Sequence, residues 1–345
     1  MNKTTGIDIV ILWVDCNDPK WIEQYNKFSI NNKIEDNRFK DWGTIKYVFR
    51  GIEKFLPWVR KIHFITCDQK PNWLVDSHPK INFLTHNEIY AEKEVLPVFN
   101  SSSIELNFDK IKDLSDKFIY FNDDMVVLKP TSESRFFLND LPVDFLVETL
   151  PRRGWLYQKI RKPDNWSDMI NNSIALINNS FSKRDARNKK KYFFSKNYML
   201  PQVILNYFYQ SFSSYVAFEH YHNPQPYLKK TICEVNNNFR APVTETIKSK
   251  FRNSNNISQA LYRYYHLASQ EFYPFYHNDH SCVNITSLKS AKICEKYINT
   301  KRFVCINDSI TLEHPEYEQC KDLILTALEK ILPNVSSFEK EFYYK

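Results

Sequence analysis

The sequence predicts an α/β fold in which helices flank a mainly parallel sheet that carries an inserted, largely helical cap. Three observations support this prediction. Short apolar, β-branched runs alternate with segments of helical periodicity, which is typical of parallel sheets with helical crossovers. Hydrophobic residues make up 43% and aromatic residues 16% of the 345 residues, enough for a sizeable core. Three of the apolar runs end in Asp or Asn, as strands do where they enter loops. We therefore expect one Rossmann-like domain over residues 1–345.

The first half of the chain contains the clearest strand and helix patterns. The predicted strands are short, apolar and rich in β-branched or aromatic residues: Ile7–Val14, Lys61–Thr66, Ile81–Thr85 and Lys117–Phe121. The predicted helices have apolar residues at helical spacing or follow a capping residue: Trp21–Ser29, the segment from Asp41 as N-cap to Pro57, and Ser101–Lys112. Because strands and helices alternate, the carboxyl ends of the strands should share one edge, where α/β proteins bind ligands.

The second half begins with a change in composition. Residues 131–215 are predicted to form an insertion or cap, because the stretch from residue 150 onward is polar and rich in Asn, Ser and Lys. Helical periodicity then returns, and the chain closes with a strand and a helix. The predicted helices are Leu200–Phe212, Tyr227–Asn238, Ile257–Ala268 and Pro315–Ile331, and the predicted strand is Arg302–Ile306.

Glycine usage excludes two common nucleotide-binding loops. The four glycines are Gly6, Gly43, Gly51 and Gly154. Their spacing forms neither a G-x-G-x-x-G turn nor a Walker A loop. Any phosphate is therefore expected to be held by side chains, helix N-termini or a metal ion.

Charge and cysteine usage limit the compartment and the partners. The net charge of +7 suggests an anionic partner such as a nucleotide, a phosphorylated glycan or a membrane surface, and is too mild to indicate nucleic acid. The seven cysteines occur without a C-x-x-C pair, which favours a reducing compartment. The apolar run Val10–Val14 is too short for a signal-peptide core or a membrane span. We therefore expect a cytoplasmic protein that binds no nucleic acid.

Polar side chains follow three of the predicted strands. Asp15 and Asp18 follow the first strand, Asn122–Asp124 follow the fourth, and Asn307 and Asp308 follow the last. If these strands lie in one parallel sheet, their ends form an oxygen-rich cluster suited to Mg²⁺ or Mn²⁺, which would bridge a diphosphate. The alternative is that Asp and Asn end strands as ordinary turn residues. The residues alone leave both interpretations open.

Further candidates lie in the second half of the chain. His222 precedes a predicted helix, where an imidazole can act as a general base, and a structural hydrogen-bonding role is the alternative. Arg252 could clamp a phosphate through two hydrogen bonds, with a solvated basic face as the alternative. The basic run Lys183–Lys191 could contact anionic lipid or glycan, although such runs are more often simply solvated. His277–His280 has no accompanying ligand motif and is predicted to be a loop.

These motifs resemble those of the Stealth proteins, a family that includes bacterial capsular polysaccharide phosphotransferases and the catalytic subunit of the eukaryotic lysosomal-enzyme GlcNAc-1-phosphotransferase. All four family regions occur in order. The first is similar to Ile7–Pro19, the third to His222–Pro224 with Lys250–Arg252, and the fourth to Phe303–Asp308. The second and most specific region is similar to Arg38–Tyr47, Leu56–Ile62, Leu96–Ser101, Ile104–Glu105 and Leu114–Met125.

The resemblance implies an activity and its residues. Such enzymes transfer a sugar 1-phosphate from a UDP-sugar to a hydroxyl group, release UMP and leave a phosphodiester. The family's active-site residues correspond here to Glu105, Asp124, His222 and Arg252. The sequence departs from the family at Asn107, where relatives often carry histidine, and at Trp42, where a small polar residue is common.

We therefore expect a bacterial enzyme with a single catalytic domain that moves hexose- or N-acetylhexosamine-1-phosphate to a phosphodiester-linked glycan acceptor. It would contact the inner membrane or the capsule assembly machinery peripherally. His222 is the expected base, with Asp124 or Glu105 as alternatives, while Arg252 would stabilise the phosphoryl oxygens. The expected metal ligands are Asp124, Asn307 and Asp308. The expected substrate-binding residues are Asp15, Arg38, Asp41, Lys46 and Asn122.

Two other functions stay open from the sequence. The pair Asp123–Asp124 at a strand end resembles the metal-binding carboxylates of glycosyltransferases that use UDP-sugars and release UDP. An inactive glycan-binding assembly protein could also keep the fold. The presence of all four active-site residues argues against the inactive protein, and the released nucleotide distinguishes the two enzymes.

Overall fold

The computed structural model describes residues 5–29, 42–75, 77–154, 157, 159, 164–307 and 314–340. Within these ranges the strands are β1 (Ile7–Leu12), β2 (Ile62–Thr66), β3 (Ile81–Thr85), β4 (Lys117–Asn122), β5 (Met125–Val127), β6 (Phe137–Leu138), β7 (Leu141–Asp144), β8 (Gln225–Leu228), β9 (Tyr273–Pro274), β10 (His280–Asn284) and β11 (Phe303–Asn307). The α-helices are α1 (Pro19–Phe28), α2 (Ile45–Phe55), α3 (His86–Ile89), α4 (Ser101–Glu105), α5 (Asn165–Ser180), α6 (Lys183–Ala186), α7 (Leu200–Tyr209), α8 (Lys229–Asn238), α9 (Arg240–Lys248), α10 (Ala260–Ser269), α11 (Leu288–Thr300) and α12 (His314–Ile331).

A five-stranded sheet in the order β3-β2-β1-β4-β8 forms the centre of the fold. The first four strands run parallel to one another, and the edge strand β8 pairs antiparallel with β4. Residues Ile7 to Ile11 of β1 are all buried, as expected for a parallel sheet covered on both faces. The predicted α/β fold with a mainly parallel sheet is therefore confirmed.

A second sheet joins the first through a two-residue turn. In this sheet, β11 lies between β10, which is parallel to it, and β5, which is antiparallel. β5 begins directly after Asp123 and Asp124, which follow β4. This turn therefore links the carboxyl-terminal edge of the central sheet to the second sheet. A third small sheet has the order β6-β7-β9.

The central sheet separates two hydrophobic cores. Ile7, Ile9 and Ile11 contribute to a core shared with α2, α11 and α12. Val10 contributes to the opposite core, which is shared with α5, α8 and α10. This division follows from the two-residue period of a strand, which sends alternate side chains to opposite faces.

Helix α2 packs on β5 through a glycine. A Cβ atom added at Gly51 would lie 2.4 Å from the carbonyl oxygen of Val127 and 3.0 Å from its Cγ1. The neighbouring Arg50 donates hydrogen bonds of 2.8 and 3.0 Å to the buried Glu339 carboxylate, which ties α2 to the C-terminal segment. Because β5 follows Asp124, this close packing also sets the position of the turn at the edge of the sheet.

Several elements differ from their predicted bounds. The helix predicted over Ser101–Lys112 ends at Glu105, and a 3-10 turn follows at Phe108–Lys110. Tyr227 and Leu228, predicted to start a helix, belong to β8, because their backbone pairs with β4. The predicted N-cap Asp41 lies outside the described residues, and Thr44 occupies the N-cap position of α2. The short strands β5 and β10 and the helices α9 and α11 have no counterpart in the sequence-based prediction.

The stretch predicted as a cap contains β6, β7 and the helices α5, α6 and α7. It is not an isolated unit, because β7 pairs with β9 and α5 packs against α10. A distinct cap role for residues 131–215 stays a prediction. Across the described ranges, no helix is both long and apolar enough to cross a bilayer.

The Gly51→Ala substitution tests the contact between α2 and β5. At an open helical site, alanine in place of glycine stabilises a protein by about 1 kcal/mol because of its higher helix propensity. At Gly51 we expect a loss of about 1–3 kcal/mol in the free energy of unfolding, because the new methyl group overlaps Val127. Urea unfolding of both proteins measures the sign. A variant at least as stable as the wild type would contradict the close packing.

Candidate active site

Two neighbouring strands end together at one edge of the central sheet. Leu12 of β1 lies in register with Asn122 of β4, so the residues that follow both strands share this edge. Asp15 accepts a 2.9 Å hydrogen bond from the Asn17 N–H, which closes a turn. Asp18 accepts one of 2.8 Å from the Lys20 N–H and caps α1. These carboxylates therefore have local structural roles, and substrate binding by Asp15 stays a prediction.

The last predicted strand reaches this edge from a different sheet. The condition that β1, β4 and β11 lie in one parallel sheet is not met, because β11 pairs with β10 and β5. Its end is nevertheless close, since the chain reverses after Asp124 and β5 pairs antiparallel with β11. The Ile306 N–H donates to the Asp124 carbonyl oxygen at 3.0 Å. Asn307 follows, with its amide donating to Asn284 at 2.8 Å, whereas Asp308 lies outside the described residues.

Asp124, His222 and Cys305 form the centre of the candidate site. One potential ligand atom of each lies within 4.8 Å of the other two. The Cys305 thiol donates to Asp124 Oδ2 at 3.0 Å, and His222 Nε2 lies 3.6 Å from the same oxygen. The His222 side chain is 36% exposed and that of Asp124 is 20% exposed. A ligand can therefore reach both groups.

Two oxygen atoms at this site have no hydrogen-bond partner among the residues that the structure describes. They are Oδ1 of Asn122 and Oδ1 of Asp124, and both atoms are buried. A buried oxygen without a partner is costly, and carboxylate and amide oxygens are the ligands that Mg²⁺ prefers. These two atoms fit the predicted cation. The thiol of Cys305 is a softer donor that suits zinc better than magnesium.

The charge of Asp124 controls the protonation of His222. Burial lowers the pKa of His222, but the charge and hydrogen bond of Asp124, together with the nearby Cys282 and Glu105, raise it to about 9. The imidazole is therefore protonated at neutral pH as long as no cation is bound to the Asp124 carboxylate. A cation on Asp124 would remove this effect and favour the neutral ring that a general base requires.

The side-chain amide of Asn122 is oriented to donate a hydrogen bond to the neutral form of His222. Its Nδ2 lies 3.0 Å from His222 Nε2 and donates to that nitrogen when the nitrogen is unprotonated. In this orientation Oδ1 of Asn122 remains available for a cation. Rotation of the amide by half a turn would present Oδ1 to the protonated ring instead. The amide of Asn122 therefore links the state of the imidazole to that of the cation site.

A buried ion pair holds the loop that carries His222. Arg263 of α10 binds the Asp144 carboxylate at 2.8 to 3.1 Å and donates to the Glu219 carbonyl oxygen at 2.7 Å. On the other side of the loop, Gln225 donates to Asp144 at 3.1 Å. The loop is therefore fixed at both ends. His222 precedes strand β8, and the prediction that it directly precedes a helix is wrong.

A second cluster connects Glu105 to Arg252. The buried Glu105 carboxylate accepts hydrogen bonds from the Tyr120 hydroxyl at 3.0 Å and the Gln259 N–H at 3.3 Å. Burial raises the pKa of Glu105, and the positive charge of Arg252 partly opposes this effect. Arg252 donates to the hydroxyl of Ser101, the first residue of α4. Glu105 is therefore placed to position Arg252 and α4, and its carboxylate faces the protein interior.

The two clusters share strand β4. Tyr120 and Asn122 are two residues apart, so their side chains lie on the same face of the sheet. Tyr120 contacts Glu105, and Asn122 contacts His222. The charge of Glu105 also contributes to the raised pKa of His222. The structure thus brings the four residues identified by the resemblance to one side of β4, although their catalytic roles stay predictions.

Of the remaining predicted substrate-binding residues, Lys46 lies in the first turn of α2. Lys46 is half-buried, with its Nζ 5.0 Å from the centre of the Tyr47 ring. The Thr44 hydroxyl donates to the Asp123 carbonyl oxygen at 3.3 Å, so the N-terminus of α2 approaches the turn that contains Asp124. A helix N-terminus favours anions. Arg38 and Asp41 lie outside the described residues.

Sequence reasoning missed two contacts at this site. Cys305 lies in an apolar run and looks like a core residue, yet its thiol contacts Asp124. Its spacing of two residues from Asn307 places both on one face of β11, which is a signal that the sequence does contain. Ser101 carries no comparable signal, because its contact with Arg252 joins residues far apart in the chain.

The chain matches models of two regions of one protein family. Stealth protein conserved region 1 matches residues 5–33, and Stealth protein conserved region 2 matches residues 38–143. A bifunctional glycosyltransferase, WbbM, solved in its apo form, is a more distant structural match. It is 11% identical with a TM-score of 0.39, and the match covers 97% of this chain and 53% of WbbM. That match is too weak to support any conclusion.

Curated relatives match over nearly their whole length. The capsular polysaccharide phosphotransferase WcwK of Streptococcus pneumoniae is 34% identical over 350 residues, which cover 99% of this chain and 100% of the relative. The exopolysaccharide phosphotransferase cps2G of Lactiplantibacillus plantarum is 33% identical, with 97% and 96% covered. The receptor polysaccharide phosphotransferase WefC of Streptococcus gordonii is 32% identical, with 96% and 98% covered. Because this identity extends from end to end and the conserved regions coincide with the strands that build the site, the chain belongs to the Stealth protein family.

Proposed function

We propose that this protein transfers hexose- or N-acetylhexosamine-1-phosphate from a UDP-sugar to a glycan hydroxyl and releases UMP. The product would be the phosphodiester linkage of a capsular or other cell-surface polysaccharide. One observation carries the proposal: His222 lies 3.6 Å from Asp124 at the ligand-binding edge of the sheet, where Asp124 Oδ1 has no partner within the described part of the chain. The names of the full-length relatives, which are polysaccharide phosphotransferases, support it.

The chemistry requires a base and a group that binds phosphoryl oxygens. The acceptor oxygen forms a bond to the β-phosphorus of the donor, and the bond from that phosphorus to the bridging oxygen breaks, so that UMP leaves. A neutral hydroxyl is a weak nucleophile, and its proton must be taken up. In the neutral ring, Nε2 of His222 can take up that proton once the acceptor hydroxyl replaces the Asn122 amide as its hydrogen-bond donor. Arg252, held by Ser101, can bind two phosphoryl oxygens at once.

A divalent cation, Mg²⁺ or Mn²⁺, fits the oxygens at the edge of the sheet. Asp124 and Asn122 would hold it through the oxygens that have no hydrogen-bond partner among the described residues. Asn307 and Asp308 are further proposed ligands. When bound, such a cation supplies positive charge that offsets the diphosphate. Lys46 and the N-terminus of α2 would bind the same diphosphate from the other side of the Asp123–Asp124 turn.

We also propose that the enzyme works in the cytoplasm, in peripheral contact with the inner membrane or the capsule assembly machinery. All seven cysteines are free thiols, which suits a reducing compartment. The net charge of +7 suits an acceptor that carries one phosphate per linkage.

Product analysis tests the proposed reaction. The enzyme is incubated with individual UDP-sugars, millimolar Mg²⁺ and short capsule oligosaccharides, and the products are separated and examined by phosphorus NMR. We expect UMP and a new phosphodiester signal. UDP with a glycosidic bond would instead identify a glycosyltransferase, and no turnover with any UDP-sugar would favour an inactive glycan-binding protein.

The Asp124→Asn substitution tests the cation site. We expect the Mg²⁺ concentration that gives half-maximal activity to rise about tenfold or more, because one charged ligand is lost while the shape of the side chain is kept. Asp140→Asn is the matched control, since Asp140 is an exposed carboxylate that pairs with Lys117 near the opposite end of β4. Wild-type turnover of Asp124→Asn at limiting Mg²⁺ would contradict the assignment.

The His222→Gln substitution tests the base. We expect kcat to fall roughly 10² to 10⁴-fold, because glutamine can keep the hydrogen bond with Asn122 but cannot take up the acceptor proton. Calorimetry should give a donor affinity within a few-fold of wild type. If donor binding collapses together with turnover, or if the rate is nearly normal, the base role must move to Asp124 or Glu105.

A further inference from the structure

Helix α7 has a polar inner face, the reverse of an ordinary surface helix. Its buried residues are Gln202, Asn206 and Tyr209. Asn206 accepts a hydrogen bond from the Glu148 N–H at 2.9 Å. It also donates to the carbonyl oxygens of Leu146 and Phe193, each at 2.7 Å. Hydrogen bonds between Asn206 and the backbone of two other segments therefore help to fix this helix in place.

The outer face of the same helix is apolar and exposed. We call it the α7 patch; its residues are Met199, Leu200, Ile204, Leu205, Tyr207, Phe208 and Phe212. These side chains are 39 to 78% exposed. The other large exposed hydrophobic residues of the described chain lie singly along the sequence, at Phe28, Leu150, Ile293 and Val335. Contiguous apolar surface of this kind marks an interaction site.

The basic run lies directly beside the α7 patch. The Arg187 guanidinium donates to the carbonyl oxygen of Phe212. The sequence favours a solvated basic run, but its first residue is not solvated. Lys183 is buried and pairs with Glu148 at 2.6 Å. The exposed cations of this segment are Arg184, Lys189, Lys190, Lys191 and Lys196. Between residues 182 and 213, the sequence contains a single acidic residue, Asp185.

We propose that the α7 patch and its flanking cations dock this protein on an anionic lipid bilayer. An apolar helix face bordered by lysine and arginine is the pattern of helices that lie in the membrane interface. The apolar side chains enter the boundary between headgroups and acyl chains, while the cations meet the anionic headgroups. A second copy of this chain fits less well, because a symmetric dimer through this face would bring two clusters of like charge together.

Helix α7 also packs on a cluster that reaches the loop carrying His222. Val203, on α7, packs on the same aromatic cluster as Tyr221, the residue before His222. That cluster has Phe145 and Tyr198 at its centre. Docking through α7 would therefore leave the aromatic cluster between the bilayer and the loop that carries His222. Lipid binding can be measured without turnover, so its outcome is independent of the proposed reaction.

Vesicle sedimentation tests the docking surface. The full-length protein is mixed with vesicles of phosphatidylcholine alone or with 30 mol% phosphatidylglycerol, at about 0.1 M salt. We expect strong binding to the anionic vesicles and much weaker binding to the neutral ones. The triple variant Leu200→Ser, Ile204→Ser and Phe208→Ser should lose binding to the anionic vesicles about tenfold or more. The variant Ile293→Ser, which removes an exposed apolar residue outside the patch, should bind like the wild type.

Charge variants distinguish a local contact of the basic run with lipid from a general effect of the protein's net charge. Lys189→Gln, Lys190→Gln and Lys191→Gln together should weaken binding to anionic vesicles about tenfold. The matched control neutralises three exposed lysines of α11, Lys289, Lys292 and Lys296, and should bind like the wild type. Equal losses in both variants would overturn the proposal, as would absence of vesicle binding by the wild type.

Analytical ultracentrifugation without lipid tests whether a second copy of this chain, rather than a bilayer, covers the α7 patch. The wild type is expected to be monomeric at the concentrations used for sedimentation. A wild-type dimer that the Leu200→Ser, Ile204→Ser, Phe208→Ser variant converts to a monomer would show that a second copy covers the patch, and would overturn docking on lipid. Circular dichroism and turnover of a short acceptor, both unchanged in the variants, confirm that the fold is intact.

Discussion

The buried contact between Asp144 and Arg263 is the interaction on which the candidate site depends most. It joins β7 to α10, and Arg263 also holds the Glu219 carbonyl oxygen at the start of the His222 loop. His266 donates to the same carboxylate at 2.8 Å. Burial alone would raise the pKa of Asp144, but the positive charge of Arg263 and the hydrogen bond from His266 hold it well below its usual range. Loss of one partner from such a pair typically costs about 3–5 kcal/mol, because a charge is left buried and unpaired.

The site itself is a junction between two sheets. The parallel sheet supplies Asn122, and the turn after it supplies Asp124. The second sheet returns to that turn through the pairing of β5 with β11 and brings Cys305 within 3.0 Å of Asp124. Gly51 lets α2 pack tightly against β5 from the other side. The Asp124 turn is therefore fixed by packing, while the Asp124 side chain keeps one oxygen without a partner in the described structure.

The segment predicted as a cap has two distinct surfaces. Its inner surface consists of polar contacts, such as those of Asn206, and of the aromatic cluster that reaches Tyr221. Its outer surface combines the α7 patch with the basic run. Helix α7 contributes side chains to both of these surfaces.

The sequence by itself determined the elements whose side-chain period is local. The strands β1, β2, β3, β4 and β11 and the helix α2 were predicted because apolar periodicity and turn residues report directly on such elements. The four residues identified by the resemblance could likewise be located from the sequence, because each lies within a short motif. The Asp and Asn residues after three strands indicated the edge at which they meet.

Only the tertiary structure decided which strands pair and what each polar group touches. All four residues of Gln225–Leu228 are buried, so the segment lacks the alternation of buried and exposed side chains that identifies many strands. It is a strand because its backbone pairs with β4. β11 carries Cys305 to Asp124 only because it pairs antiparallel with β5, a contact across about half of the chain. The protonation of His222 depends on Asp124, which lies 98 positions earlier in the sequence but 3.6 Å away in space. Such contacts depend on three-dimensional packing and charge, whereas sequence patterns report only on neighbours along the chain.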